Sequence, residues 1–236
     1  MKYSNEKVYA HDFSITNDDL LITLLEELKV ETALVNTNIL FSDNISVQKH
    51  AANAAELLRS FNNNLSSVES TQDILQIYDK GLRNSTTVAL VVANIIDKIL
   101  MKYGSAFDIG YDLTNMSNMM SMASNITRST NHSTLTKSEN STDPELLRDN
   151  DLVMVNTEDY RTAKALSDMV NRLFNDDLTK LSSANESANV VRLRESLERL
   201  KYSVDNKAYP EILMDIVHVQ IHPSLQKVYH LRLISA

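Results

Sequence analysis

Cysteine is absent from this chain, and with it any disulfide framework or thiol nucleophile. Its absence leaves the redox compartment unspecified. Three glycines, at 81, 104 and 110, and three prolines are too few for the tight turns of sandwiches and barrels or for a phosphate-cradling loop. Basic charge is also scarce: 23 Lys and Arg against 31 Asp and Glu give a net charge of -8, and no stretch combines cations with aromatics. Such a surface repels a phosphate backbone, so nucleic acid is not an expected partner. The longest apolar run, Val88 to Met101, is broken by Asn94 and Asp97 and is too short to span a bilayer, so no transmembrane segment is expected. Gly-x-Ser-x-Gly is missing as well, and no catalytic motif points to an enzyme.

What the chain does have is helical periodicity. Thr16 and Asp19 form a capping-box signature, and Leu21, Leu24, Leu25, Leu28, Val35 and Ile39 follow at helical spacing. Val47, Ala51, Ala54, Ala55, Leu58 and Phe61 make a second stripe, and the two together read as an α-hairpin. A shorter helix, about 71–82, is expected to end at Gly81 in a left-handed conformation, and one carrying Val88, Val91, Val92, Ile95, Ile96 and Ile99 to stop at Gly104. Tyr160 to Phe174 and Val190 to Val204 supply two more stripes. Pro210 suits the first turn of a last helix, which Pro223 should kink or restart. The acids, such as Glu26 and Glu27 or Glu195 and Glu198, are expected on solvent faces.

The expected fold is all-α: about seven helices in two antiparallel bundle halves joined by a long polar linker. Residues 1–15 form an N-terminal tail, 16–110 the first half, 111–155 a linker rich in Ser, Thr, Asn and Met, and 156–236 the second half.

Eight Asn-x-Ser/Thr acceptors occur, about twice the roughly four expected by chance, and Asn115, Asn125, Asn131 and Asn140 crowd into the linker. Those four are the expected glycosylation sites. Asn44 and Asn84 lie at helix starts, where asparagine caps without sugar. The cluster points to an extracytoplasmic or cell-surface location. Val8, Tyr9 and Ala10 before His11 look like a signal-peptide cleavage region, yet Met1 to Lys7 holds no hydrophobic stretch. Either a longer precursor exists or the likeness is chance.

Two groups of side chains have metal-ligating chemistry. Met116, Met119, Met120 and Met122 place four soft thioethers in seven positions, a set suited to Cu(I); the plainer account is adaptable apolar filler. Asp215, His218 and His222 fall at i, i+3 and i+7 of a helix and could meet a metal together, although Val219 stands where a zinc protease needs Glu. The plainer account is a hydrogen-bonded His pair near Pro223. His50 shares a helix face with Ala54, Leu57 and Phe61 and reads as a satisfied interface histidine.

Several segments carry a resemblance: His11 to Ser14, Val30 to Asn36, His50 to Leu58, Tyr103 to Met120, Asp159 to Asp176, and Val204 to Pro210 through His222 and Pro223. In these the chain resembles a group of all-helical exported proteins of ammonia-oxidising archaea. The resemblance implies a signal peptide, extracytoplasmic placement and a helical bundle in two halves, with no particular reaction. The helical-hairpin style is also similar to extracytoplasmic extensions of some iron permeases, which implies metal handling. The expected function is therefore extracytoplasmic binding or envelope structure, without catalysis and with a protein or envelope partner. The alternative is copper handling.

Overall fold

The computed structural model describes residues 13–65, 70–115, 152–181 and 187–232. These are helical, with no strand among the described residues: α1 (Asn17–Leu40), α2 (Asn44–Asn64), α3 (Thr71–Leu82), α4 (Ser85–Ala106), then α5, α6 (Ala188–Asp205) and α7. Helix α5 runs as Thr157–Arg172, widens into a π-helical turn over Leu173–Leu178 and closes with Thr179–Leu181. Helix α7 does the same, as Pro210–Asp215, a π-helical turn over Ile216–Ile221, and His222–Tyr229. The all-α class read from periodicity is the class observed.

Local sequence fixes the helix starts. Thr16 caps α1 through the expected box, its Oγ1 accepting from the Asp19 amide at 3.2 Å while Asp19 Oδ2 accepts from the Thr16 amide at 2.9 Å. The side-chain oxygen of Asn84 caps α4 by accepting from the amides of Thr86 and Thr87. α2 is capped by Asp43 rather than Asn44.

The helix ends differ from expectation. No glycine has a positive φ; among the described residues the left-handed ones are Ser42, Asp108, Lys207 and His230. Ser42, Asp108 and Lys207 each follow a helix whose last carbonyls are taken by the next amides, as in Asp43 N to Asn38 O (3.0 Å), Ile109 N to Gly104 O (2.9 Å) and Ala208 N to Ser203 O (2.9 Å). The glycines serve packing instead. A Cβ on Gly81 would lie 2.2 Å from Ile22 Cδ1, so its bare Cα is what lets α3 approach α1. Gly104 lies inside α4 against Leu113, and the helix continues to Ala106.

α4 is the centre of the molecule. Fifteen of its 22 residues are buried, on every side of the helix rather than along one stripe. α1 and α5 pack on it, α3 meets it at 96°, α7 covers another side, and α6 packs on α5 and α7. Buried residues from both sides of 116–151, such as Ile22, Val30 and Ile96 with Leu166, Phe174 and Leu197, belong to one core cluster. No single helix among the described residues is long and apolar enough to cross a membrane. Pro223 does not break α7: the π-helical turn ahead of it widens the carbonyl spacing where the ring would otherwise clash. α2 lies along α1 and buries only Ser46 and His50, and α3 buries only Gly81.

Candidate functional site

Most acids of α1 are not on a solvent face. Glu26, Glu27 and Glu31 are all buried, because α1 is covered by α2, α3, α4 and α5 at once. This corrects the amphipathic reading. Glu26 is tied to Lys29 and to the Tyr78 hydroxyl of α3.

Glu31 (3% exposed) faces His50 (0% exposed) of α2. His50 Nδ1 lies 2.7 Å from Glu31 Oε2, and Nε2 lies 2.8 Å from Glu158 Oε2 at the start of α5. Carboxylates only accept, so both ring nitrogens carry hydrogen and the ring is an imidazolium. Burial pulls the His50 pKa down, but the hydrogen bonds and charges of Glu31 and Glu158 more than reverse this and leave it raised.

The outer oxygens are also satisfied. Glu31 Oε1 accepts from Thr162 (3.1 Å), and Glu158 Oε1 lies 2.7 Å from Ser46 Oγ. Ser46 Oγ is also 2.6 Å from Asp43 Oδ2, and its single hydrogen cannot serve both carboxylates at once. Arg161 Nη1 supplies the missing donors, at 3.3 Å to Asp43 and Glu158 and 3.1 Å to Ser46. The Ser46 hydrogen bond, with Arg161 assisting, holds the Asp43 carboxyl below its ordinary pKa. Three carboxylates thus face two cations, and the network pins α1, α2 and α5 together. With both nitrogens engaged and no exposure, His50 is a strut and has no free nitrogen with which to shuttle protons.

Next to this strut is a cavity of about 250 Å³ between α1, α2, α4 and α5. Glu27 and Glu31, Leu57, Lys98 and Met101, and Leu166 are among the residues lining it. Glu27 is 8% exposed, and its Oε1 has no hydrogen-bond partner. Burial pushes the Glu27 carboxyl up; Lys98 and Lys102 oppose that, and Glu31 adds to it. Lys102 is committed to Asp159 of α5 at 2.8 Å, whereas Lys98 makes no ion pair among the described residues. Three larger grooves, about 650 Å³ between α1, α3 and α4, about 580 Å³ between α1, α3 and α5, and about 430 Å³ between α6 and α7, hold no buried polar atom lacking a partner. The smaller cavity is therefore the candidate site.

Of the side chains singled out by sequence, Met116, Met119, Met120, Met122, Asn125, Asn131 and Asn140 lie outside the described residues. Asn115 is exposed just after α4. His218 and His222 are both buried, their rings edge to face at 6.0 Å. His218 Nε2 lies 2.9 Å from the Leu113 carbonyl, and His222 Nε2 lies 3.8 Å from Asp97 of α4. Asp215 instead accepts from Gln220 Nε2 at 3.0 Å, five residues on, as the π-helical turn between them allows. Among the described residues no three His, Asp or Glu side chains converge as a metal site. His50 proved satisfied, as its apolar face implied; Glu27, Glu31 and Glu158 carried no spacing signal. In comparisons with known proteins, the chain matches no family model, no curated protein and no solved structure.

Proposed function

We propose that this protein is an extracytoplasmic, non-catalytic binding protein whose ligand pocket is the cavity between α1, α2, α4 and α5. One observation carries the reading: Glu27 is buried at the cavity wall with an unpartnered Oε1. A buried polar atom without a hydrogen bond is costly, about 1–3 kcal/mol, and a ligand donor would recover that loss. Four apolar side chains, Leu24, Leu57, Met101 and Leu166, beside convergent polar groups suit a small polar molecule with a hydrocarbon part. The compartment rests on the acceptor cluster at Asn115, Asn125, Asn131 and Asn140.

A ligand-observed NMR screen of small amines, carboxylates, zwitterions and neutral fragments tests the pocket. It compares the wild type with Ser60→Trp, which fills the cavity from its α2 side. Ligands that bind the wild type and not the variant are expected. If every compound treats the two proteins alike, the pocket reading is wrong. Mass spectrometry of protein from its source tests the compartment, and four unmodified linker asparagines would remove that part.

Copper handling is the second reading, favoured by one contact. His218 is bonded to Leu113, only three residues of chain before Met116, a span of at most about 11 Å. Competition against a Cu(I) chelator decides it: unchanged affinity after replacing Met116, Met119, Met120 and Met122 would leave the thioethers no metal role.

A further inference from the structure

We infer that the cavity binds a small apolar amino acid as its zwitterion, the ammonium against Glu27 and the carboxylate against Lys98. The inference rests on this cavity being the ligand site, and it names the ligand class. Of the five charged side chains at the cavity, two are already committed: Glu31 to His50 and Thr162, and Lys102 to Asp159. Glu56 is exposed on α2. Glu27 and Lys98 remain, one acid and one base, not in ion-pair contact with each other, and a bound ammonium would favour the ionised form of Glu27 that burial opposes. Lys98 is nonetheless near enough to act on the Glu27 carboxyl. A molecule that bridges them must carry a donor cation at one end and an acceptor anion at the other.

Single-charge ligands fit less well. A simple amine would satisfy Glu27 but bring a second cation up to Lys98, and a simple carboxylate would meet Lys98 but face Glu27 and Glu31. Leu24, Leu57, Met101 and Leu166 supply the apolar part of the wall for a hydrocarbon side chain, beside the polar Asn53, Ser60 and Thr162. The volume, about 250 Å³, is below the roughly 300–1,000 Å³ of pockets for drug-sized molecules and is on the scale of a free amino acid.

Titration calorimetry on the full chain tests this with L-leucine, L-methionine and L-valine, and with two truncated forms of leucine. 3-Methylbutylamine lacks the carboxylate, and 4-methylpentanoate lacks the ammonium. At least one amino acid should bind, with each truncated compound at least about tenfold weaker. Glu27→Gln and Lys98→Met should each weaken that amino acid about tenfold or more, with circular dichroism confirming the fold. The truncated ligands test the wild type, so the outcome stands even if a variant fails to fold. Dissociation constants above about 1 mM for all three amino acids would overturn the inference, as would a truncated compound binding as tightly as leucine. If the NMR screen still finds Ser60-dependent ligands of another class, the pocket survives and the ligand class is wrong. If it finds none, both fall.

Discussion

Replacing His50 by leucine removes the ring that separates two buried carboxylates. In the wild type, Glu31 and Glu158 each lie within 2.8 Å of one imidazole nitrogen, with the ring wholly inaccessible to water. Leucine fills much of the space but supplies neither donor nor charge. Breaking a buried ion pair from one side costs about 3–5 kcal/mol, because the abandoned charge stays buried. For a chain of this size that corresponds to a melting temperature lower by roughly 6–20 °C. Urea unfolding at pH 6 gives the free energy directly, provided the m-value is unchanged. Glu31→Gln and Glu158→Gln, added together to His50→Leu, should recover at least half of the loss by removing the stranded charges. The pH dependence has a definite sign. The folded pKa of His50 is raised, so its contribution is complete below the ordinary value of about 6.5 and fades as pH rises through the folded pKa. The gap between wild type and His50→Leu should therefore narrow on the alkaline side. A loss below about 1 kcal/mol at pH 6, or a gap that widens with pH, would refute the imidazolium assignment.

Gly81→Ala should destabilise by about 1–3 kcal/mol through the clash with Ile22 Cδ1, and Ile22→Val, which deletes that methyl, should partly rescue it in a double-mutant cycle. Asp108→Gly should raise the unfolding free energy, read from urea curves, by up to about 1 kcal/mol, since a left-handed φ of 51° is strained for aspartate and free for glycine. Thr16→Ala should cost about 1 kcal/mol by removing the α1 cap, read from the same unfolding curves.

Helix existence was legible because it depends on local pattern. The capping box at Thr16, the proline opening α7 and the apolar content of α4 all act within a turn or two of chain. The candidate site depends on which helices cover which. Glu27 and Glu31 sit where an amphipathic reading puts solvent, and only the simultaneous approach of α2, α4 and α5 buries them. The π-helical turns were illegible for a related reason: they re-aim side chains by one position, so Asp215 pairs with Gln220 rather than keeping the spacing of a regular helix. Glycine was over-read as a stop signal. At Ser42, Asp108 and Lys207 the satisfied carbonyls of the preceding helix hold ordinary residues in the left-handed region.

α2 contributes only Ser46 and His50 to the interior, yet Asn53, Leu57 and Ser60 of the same helix form one wall of the cavity. A helix held by so little apolar surface opens at a lower free energy than the core it leans on. Amides in the middle of α2 should exchange with solvent long before those of α4, and by an opening that leaves the rest of the bundle folded. If α2 opens alone, the residence time of any occupant of the cavity is set by how often the His50 ion pairs to α1 and α5 break rather than by global unfolding.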